Sequence, residues 1–266
     1  MTRVLFLGDL VGRQARTLVI DELAKLRTEF DLDFIVINCE NAAGGFGVTP
    51  KICEALFKAG ADVLTTGNHV WDKTEIIKYI NTENRLLRPL NMPEGTPGKG
   101  CVRVKNKEGK RLFVVNVMTN LFMPPSEPVF NVVDKVLFQN KLGRDADFIL
   151  LDVHGEATSE KMALGHLADG RASMVVGTHT HVPTADQRIL ESGTAYQTDT
   201  GMCGNYDSVI GMEKTNACGR FRGRRGGPLS VAKGAVSVCG LLVEADKNGL
   251  ATIVQPMRRG GVLSNS

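Results

Sequence analysis

The first 80 residues alternate between short apolar runs and segments with helical periodicity, and this alternation strongly constrains the fold. Arg3–Gly8, Phe34–Asn38 and Asp62–Thr66 are predicted strands. Apolar residues recur every three or four positions between residues 15 and 26, and Thr49-Pro50 supplies an N-cap and a first helical residue for a second such segment. Three β-strand–helix units in succession predict a parallel sheet covered by helices.

The remainder of the chain adds further strands and helices. A hairpin is predicted from Cys101–Val104 to Arg111–Met118, with Gly109 in its turn. The apolar and periodic patterns then predict helices at Val132–Leu142 and Thr158–Leu167, strands at Phe148–Val153 and Met174–Gly177, and short antiparallel strands at Arg188–Leu190, Thr194–Thr198, Ala235–Glu244 and Ala251–Met257. We expect a single α/β domain over residues 1–266, with either one mixed sheet or two packed sheets.

The composition is that of an ordinary globular chain, with 42% hydrophobic and 23% charged residues among 266. This apolar fraction excludes a disordered or fibrous chain, and a net charge of +3 does not indicate a nucleic-acid or membrane partner. The N-terminal apolar run of four residues is too short for a signal peptide or a membrane span. The six widely spaced cysteines include no CxxC pair, which predicts free thiols and a cytoplasmic location.

Polar side chains that can bind metals or transfer protons follow the predicted strands at the same end. In open α/β sheets, ligands bind beyond the carboxyl ends of the strands, so we expect these side chains to share a site. Four of the five histidines in the chain belong to this set. The set comprises Asp9, Glu40 with Asn41, Asn68 with His69, His154, and His179 with His181.

Each of these residues has a common structural role when it is taken singly, such as a helix cap, a turn residue or a hydrogen-bonded core imidazole. The spacing of His179 and His181 is more informative, because positions i and i+2 of an extended backbone point to the same side. Together the strand-end residues predict a metal site. Seven potential ligands are too many for one ion, so we predict two divalent ions that share a bridging carboxylate. The seven are Asp9, Glu40, Asn41, Asn68, His154, His179 and His181.

The charge of such a site favours an anionic substrate. Two divalent cations would bring +4, whereas Asp9 and Glu40 bring only −2, and the remaining positive charge suits a phosphate. Paired ions can clamp a phosphoryl group and activate water. The mixture of imidazole nitrogen with carboxylate or amide oxygen suits Mn, Fe or Zn, and the lack of a thiolate cluster disfavours structural zinc. The sequence contains no GxSxG, P-loop or dinucleotide-binding motif.

The order of these residues resembles the motif blocks of the calcineurin-like metallophosphoesterases, which usually read DxH, GD, GNH[DE], H and GHxH. The matching blocks are Gly8-Asp9, Gly67-Asn68-His69, His154 and Gly177–His181. The chain is more similar still to the YmdB-like branch, which shares Glu40-Asn41, the Gly44–Gly47 loop, Gly67–Asp72 and Thr198–Met202. The resemblance covers nearly the whole chain and implies two packed mixed β-sheets flanked by helices.

The chain departs from the wider superfamily at two positions. Val11 stands where DxH has its histidine, and Cys39-Glu40 stands where Gly-Asp is usual. The resemblance implies one ion held by Asp9, Glu40, Asn41 and His181 and a second held by Glu40, Asn68, His154 and His179, with Glu40 bridging. An amide oxygen in place of an imidazole favours Mn or Fe, with Zn as the third candidate.

The resemblance also assigns His69 as the general acid for the leaving oxygen, a role that suits histidine because its side chain titrates near neutrality. Asp72 either orients His69 or caps a helix that begins at Lys73. Trp71 either stacks on a base or packs in the core. For both residues the structural role is the commoner one.

Several other segments admit a structural and a functional interpretation. Gly44–Gly47 either presents N–H groups to an anion or forms a plain turn, and Thr200–Met202 is a substrate-side loop by resemblance only. The Pro-rich Thr119–Val129 segment is a predicted loop and a candidate lid. Arg220, Arg222, Arg224 and Arg225 predict a solvated loop, with an RNA-phosphate contact as the less favoured alternative, and His166 is predicted to be structural.

The favoured function is that of a phosphodiesterase acting on cyclic nucleotides, above all 2′,3′-cyclic nucleotides, with weaker monoesterase activity. The alternative is a metal-stabilised RNA-binding or regulatory scaffold built on Arg220–Arg225 and Thr119–Val129. His69 weighs against a scaffold, because a structural site has no use for an acid beside a complete ligand set. We expect a phosphate-ester substrate and no membrane partner. The sequence patterns do not decide whether the chain forms a homo-oligomer.

Overall fold

The computed structural model describes residues 1–124, 126–223 and 227–266. Its strands are β1 (Thr2–Leu7), β2 (Asp9–Leu10), β3 (Phe34–Asn38), β4 (Val63–Thr65), β5 (Cys101–Lys105), β6 (Arg111–Met118), β7 (Phe148–His154), β8 (Met174–Thr178), β9 (Arg188–Ile189), β10 (Ala195–Gln197), β11 (Met202–Cys203), β12 (Val238–Ala245) and β13 (Ala251–Arg259). Its helices are α1 (Gly12–Glu29), α2 (Pro50–Ala59), α3 (Ile76–Tyr79), α4 (Val129–Gln139), α5 (Thr158–Ala168) and α6 (Lys214–Phe221).

The strands form two mixed sheets and a short two-stranded ladder. The first sheet has the order β13-β12-β1-β3-β4. β1, β3 and β4 are parallel, β12 pairs antiparallel with β1, and β13 pairs antiparallel with β12. The second has the order β5-β6-β7-β8-β10-β9, with parallel β6, β7, β8 and β10 between antiparallel edges. The third pairs β2 with β11 in parallel. This arrangement confirms the predicted α/β class with mixed sheets.

The two large sheets pack face to face, with helices on their outer faces. Val4 and Phe6 of β1 belong to an apolar layer that also contains Phe148 and Leu150 of β7, so this layer lies between the sheets. The alternate residues of β1 pack with the buried faces of α1 and α2. Alternate residues of β6 and β7 pack with α4 and α5 in the same way. The period-two alternation of each strand thus fills two apolar layers at once.

Local sequence signals set the ends of α2 as predicted. The Thr49 hydroxyl accepts a hydrogen bond from the N–H of Ile52, and Pro50 occupies the first helical position. Gly60 ends the helix in the left-handed conformation, at φ 117°. The strand that follows therefore starts at a fixed point and delivers residues 66–69 to the carboxyl edge of the first sheet.

Three sequence-based expectations about the elements need correction. The segment near residue 195 is not wholly antiparallel, because β10 pairs in parallel with β8 and only its contact with β9 is antiparallel. The helix predicted at Val132–Leu142 begins directly after Pro128 and ends at Gln139, since its buried face starts at Val129. β2 and β11, which have two residues each, were not predicted, because segments this short rarely show a periodic pattern.

No helix among the described residues combines the length and the apolar character needed to cross a membrane.

The layer between the sheets predicts a large and local effect of truncating Phe6. We expect Phe6→Ala to lower the free energy of unfolding by about 3–5 kcal/mol, because the site lies between two rigid sheets that cannot collapse around the cavity. Urea unfolding followed by circular dichroism measures the change. The matched control is Phe138→Ala on α4, whose side chain is 71% exposed and should cost no more than about 0.5 kcal/mol. Equal losses in both variants would contradict the assignment of Phe6 to this layer.

Candidate dinuclear metal centre

The carboxyl ends of parallel strands in both sheets deliver the predicted ligands to one place. The first sheet supplies residues that follow β1, β3 and β4, and the second supplies residues at the ends of β7 and β8. Contact between the two sheets is therefore required to assemble the site. The residues from the first sheet are Asp9, Glu40, Asn41 and Asn68, and those from the second are His154, His179 and His181.

Four of these side chains meet around Nε2 of His154. Oε1 of Glu40 lies 3.1 Å from this nitrogen, Oδ1 of Asn68 lies 3.0 Å from it, and Nδ1 of His179 lies 3.1 Å from it. Ligand atoms of Glu40, His154 and His179 all lie within 4.8 Å of one another, a spacing that one ion can bridge. Glu40 and His154 are buried, while Asn68 and His179 are partly exposed and face the solvent side of the cluster.

The remaining ligands adjoin this cluster through Asp9. The N–H of His179 donates to Oδ2 of Asp9 at 3.1 Å, and Nε2 of His181 lies 3.9 Å from Oδ1 of Asp9. Asn41 lines the same cavity as Glu40, His179 and His181. The structure thus brings all seven predicted ligands to adjoining positions.

Each of the three imidazoles has its outward nitrogen close to an oxygen atom; in His154 and His181 this contact is a hydrogen bond, which directs the other nitrogen inward. Nδ1 of His154 lies 2.9 Å from the Thr178 hydroxyl, and Nδ1 of His181 lies 2.8 Å from the carbonyl oxygen of Ile210. His179 has the opposite arrangement, with Nε2 3.3 Å from a carboxylate oxygen of Glu156. These contacts favour N–H on the outer nitrogen and leave the inner one as the ligand atom, an arrangement common in metal-binding histidines.

Asp152 organises the partners of His154 beneath the site. The Thr178 hydroxyl donates to Oδ1 of Asp152 at 2.7 Å, so it accepts from Nδ1 of His154. Thr65 and the Asn38 amide donate to the other oxygen of Asp152 at 2.5 and 3.1 Å. The network joins β3, β4, β7 and β8, and it fixes the ring of His154 from both sheets. Burial raises the pKa of Asp152 to about 6, against the hydrogen bonds that stabilise its ionised form.

The residues present fit a pair of divalent cations. Oδ1 of Asp9 and Oδ1 of Asn41 are buried with no hydrogen-bond partner among the described residues, which is costly unless another partner such as a cation satisfies them. Gly67 supplies the space, because a Cβ there would stand 2.2 Å from His154 and 2.5 Å from Glu40. The donor atoms of the described ligands are nitrogen and oxygen, with no thiolate sulfur among them, and such a set suits Mn, Fe or Zn.

Glu40 and His154 shift each other's pKa, because their side chains are in contact and buried. Burial opposes ionisation of Glu40, yet the neighbouring His154 outweighs it and lowers the pKa of Glu40 to about 2. Burial likewise opposes protonation of His154, and Glu40 outweighs it and raises the pKa of His154 to about 9. Burial and the adjacent His154 lower the pKa of His179 to about 3, so its inward nitrogen is free to bind. Cation binding would therefore displace the proton on Nε2 of His154.

The backbone between His179 and His181 is not extended, contrary to the expectation from their spacing. Both residues are left-handed, with φ of 98° and 65°. β8 ends at Thr178, and the turn that follows sends one imidazole to Glu40 and the other to Asp9. Left-handed backbone strains residues other than glycine, so the surrounding structure has to hold this turn in place.

A buried ion pair holds the turn. Nζ of Lys161 donates to Oδ2 of Asp199 at 3.0 Å and to the carbonyl oxygen of Thr178 at 2.8 Å. The same Asp199 oxygen accepts from the N–H and the hydroxyl of Thr180, at 3.0 and 2.8 Å. Lys161 and Asp199 have no exposed surface. The Thr198–Met202 segment therefore supports the histidine turn. Its residues do not line the cavity, whereas the resemblance placed a substrate-side loop at Thr200–Met202.

His69 lies at the rim of the same cavity, oriented by Asp72. Its Nδ1 is 2.8 Å from Oδ2 of Asp72, which leaves Nε2 available to the cavity. The backbone N–H of His69 donates to Oε2 of Glu40 at 3.2 Å. The nearby helix starts at Ile76 with Glu75 at its N-cap, so Asp72 orients His69 and does not cap a helix at Lys73. Trp71 packs against the apolar core, as the structural interpretation predicted.

The glycine loop is a turn that positions Asn41. Gly44, Gly45 and Gly47 have φ of 74°, 97° and 78°, and the N–H groups of Ala43 and Gly45 bond to carbonyl oxygens within the turn. The Asn41 amide donates to the carbonyl oxygen of Gly45 at 3.0 Å, which directs the other amide atom, Oδ1, elsewhere. These contacts favour the turn interpretation over an anion cradle.

Sequence patterns singled out some residues that the structure keeps apart from the site, and missed others within it. His166, which was predicted to be structural and not part of the site, is exposed on α5 and does not line the cavity. Residues 119–124 and 126–128 precede α4, and the N–H groups of Asn120 and Leu121 donate hydrogen bonds to Glu160. Pro125 lies outside the described residues, as do Arg224 and Arg225. The sequence patterns did not predict the positioning roles of Asp152, Thr178 and Glu156, although each lies within two residues of a predicted ligand.

Two packed mixed sheets with imidazoles and carboxylates gathered at their carboxyl edge form the architecture of a metallophosphoesterase. The chain belongs to the YmdB-like protein family, whose model matches residues 5–257. The family and fold predicted from the motif blocks are thus confirmed.

The similarity extends to named relatives and solved structures. A 2′,3′-cyclic-nucleotide 2′-phosphodiesterase of Bacillus subtilis (strain 168) is 46% identical over 244 residues, which is 92% of this chain and 91% of that protein. The crystal structure of a novel phosphatase from Mycoplasma pneumoniae matches with a TM-score of 0.89 and 31% identity, over 97% of this chain and 93% of that one. A hypothetical protein from Thermus thermophilus matches with a TM-score of 0.90 and 40% identity, over 98% and 100% of the two chains.

The buried ion pair beneath the histidine turn predicts a strong dependence on Lys161. Lys161→Met removes one partner of a fully desolvated pair, so we expect the free energy of unfolding to fall by about 3–5 kcal/mol. Urea unfolding in excess EDTA measures this change without a contribution from bound cations. Lys161→Met combined with Asp199→Asn should recover part of the loss, since the double variant no longer buries an unpaired carboxylate at position 199.

The matched control is Lys25→Met on α1, whose ion pair with Glu22 is largely solvated and should contribute at most about 1 kcal/mol. If Lys161→Met were as mild as this control, the ion pair would not be what holds the turn.

Proposed function

We propose that the chain is a dinuclear metal-dependent phosphodiesterase that hydrolyses 2′,3′-cyclic nucleotides, with phosphomonoesters as secondary substrates. The observation that carries this proposal is the convergence of three imidazoles, each with an oxygen atom beside its outward nitrogen, on the buried carboxylates of Glu40 and Asp9. Such a donor set holds divalent cations at the floor of an accessible cavity, where a phosphate ester can reach them.

The ligands divide into two sets that share Glu40. One set would consist of Glu40, Asn68, His154 and His179, and the other of Glu40, Asp9, Asn41 and His181. Bound divalent cations supply positive charge to the phosphoryl group and acidify water. We infer Mn or Fe in preference to Zn, because the two amide oxygens in the set are hard ligands.

His69 is the proposed general acid. Its Nδ1 donates to Asp72 in the neutral and in the protonated ring, so the proton that it can transfer is on Nε2, toward the cavity. The name of the Bacillus subtilis relative specifies cleavage at the 2′ oxygen. Protonation of that departing oxygen by His69 would complete the reaction and leave a 3′-phosphomonoester.

The scaffold alternative gains no support from the described part of the chain. Arg220 and Arg222 are exposed at the end of α6 and have no side-chain hydrogen bond among the described residues, and the cluster's other members, Arg224 and Arg225, are outside the described residues. In the Pro-rich segment, the N–H groups of Asn120 and Leu121 donate hydrogen bonds to Glu160 of α5. The enzyme remains the better proposal, because a scaffold gives no reason for an oriented His69 beside the ligands.

We further propose that the chain works as one domain in the cytoplasm. The single domain is supported by a site that needs ligands from both sheets. The cytoplasmic location is supported by free thiols, four of which are buried in the core. Cell fractionation tests the location, and size-exclusion chromatography with light scattering tests whether the protein forms a homo-oligomer.

Glu40→Gln tests the shared ligand with almost no change in volume. We expect kcat/KM for a 2′,3′-cyclic nucleotide with added Mn to fall by at least ~100-fold, the upper end of losses from residues that only support ligands. Elemental analysis of the same protein should show fewer than two ions per chain. Glu108→Gln is the control, since this side chain is 71% exposed in the hairpin turn. Unchanged turnover with two ions still bound would remove Glu40 from the centre.

His69→Ala tests the acid through the leaving group. An alkoxide needs a proton as it departs, whereas p-nitrophenolate leaves readily without one, so we expect a loss of about 10²–10⁴-fold on cyclic nucleotides and a much smaller loss on bis-p-nitrophenyl phosphate. The ion content should stay the same. His166→Ala is the matched control, because this histidine is exposed on α5. Equal losses on both substrates would exclude proton transfer by His69.

A further inference from the structure

The cavity above the ligands has two chemically different sides. Its floor is polar and consists of the ligand residues Glu40, Asn41, His179 and His181. Its other side is apolar and is formed by Phe46, Ile210, Met212 and Leu229. Burial in the core accounts for Met212, which is 5% exposed, but not for Ile210, which is 53% exposed, or for Phe46, which is only partly buried. The cavity, about 270 Å³ in volume, is thus built for a ligand with a charged end and an apolar end.

Phe46 is placed by the loop that also holds Asn41. It lies between Gly45 and Gly47, both in left-handed conformations, at φ of 97° and 78°. A Cβ on Gly45 would stand 2.8 Å from the methyl carbon of Met212, so this loop packs closely against the opposite side of the apolar surface. The ring of Phe46 also contacts His69, with their centroids 5.1 Å apart and an interplanar angle of 67°.

The connectivity of the substrate places its base beside this ring. If His69 protonates the 2′ oxygen, the carbon bearing that oxygen is bonded directly to the carbon that carries the base. The base is therefore only three bonds from the oxygen that His69 reaches. Phe46, in contact with His69, is within reach of the base, and apolar contact with its π face is what an aromatic ring offers.

Resting on the proposed function, we propose that Phe46, with the side chains of Ile210, Met212 and Leu229, forms the nucleobase subsite and recognises the base by stacking and apolar contact. Hydrogen-bond recognition of base edges has few candidates among the described lining residues. The Asn41 amide already donates to Gly45, and the Thr180 hydroxyl already donates to Asp199. The subsite consequently accepts all four bases, with a modest preference for purines because of their larger faces.

Ile210 links this subsite to the metal ligands. Its carbonyl oxygen accepts the hydrogen bond from Nδ1 of His181 while its side chain lines the cavity. Its left-handed backbone, at φ 46°, allows one residue to serve both purposes. The base is thereby held at a fixed distance from the ligand His181, so the subsite orients the substrate as well as binding it.

The experiment compares a nucleotide with a substrate that lacks only the base. Steady-state kcat/KM with added Mn is measured for 2′,3′-cyclic AMP and for methyl ribofuranoside 2′,3′-cyclic phosphate, and their ratio reports the contribution of the base. In Phe46→Ala this ratio should fall about 10-fold or more, the size of a lost base–aromatic stack. Phe46→Trp should restore the ratio and Phe46→Leu should not. The ratio should not change in Phe138→Ala, which removes an exposed ring on α4.

Three results would overturn the subsite. An unchanged ratio in Phe46→Ala would mean that the ring acts only through His69. A ratio restored by Leu as fully as by Trp would exclude stacking. A preference of more than ~100-fold for one base among the four would require hydrogen-bond recognition of its edges.

The subsite and the proposed function fail in distinguishable ways. If the wild-type protein hydrolyses the nucleotide and the base-free ester with equal kcat/KM, the subsite is wrong and the phosphodiesterase stands. If it hydrolyses neither ester with Mn or Fe bound, the proposed function itself is wrong, and the subsite with it.

Discussion

The contacts that the outward nitrogens of His154, His179 and His181 make with oxygen atoms are the constraint on which the whole site depends. An imidazole can present a lone pair in a fixed direction only if its other nitrogen is held, and in this chain the three acceptors differ in kind. They are a hydroxyl, a carboxylate and a backbone carbonyl. Because each acceptor belongs to a different segment, the ligand directions are set by the fold as a whole and not by any single loop.

The two sheets convert this local constraint into a global one. Glu40 belongs to the first sheet and His154 to the second, yet their side chains approach to 3.1 Å with both residues buried. Asp152 receives hydrogen bonds from Asn38 and Thr65 across the same boundary. The apolar layer below holds the sheets at a fixed separation. The same interface between the sheets therefore determines both the packing of the apolar layer and the geometry of the ligands at its edge.

The sequence predicted the layers and the ligand identities because both depend on short patterns. Short continuous apolar runs located β1, β3, β7 and β8, and the rule that ligands gather beyond carboxyl strand ends selected the residues following them. The left-handed turn at His179 could not be predicted in this way, since it depends on the buried pair of Lys161 and Asp199, which is contributed by distant segments. The parallel pairing of β10 and the acceptor role of Glu156 likewise arise only in three dimensions.

The pairing of β1 with β12 has a consequence for how the protein is made. β1 occupies the middle of its sheet, but its antiparallel neighbour begins at Val238, near the other end of the chain. During synthesis on the ribosome, one edge of β1 therefore stays unpaired until β12 has emerged, and contacts of such sequence separation form slowly. Asp9 lies directly beyond this strand. Asp9 therefore takes its final place beside the residues of the second sheet only after segments far apart in the sequence have paired.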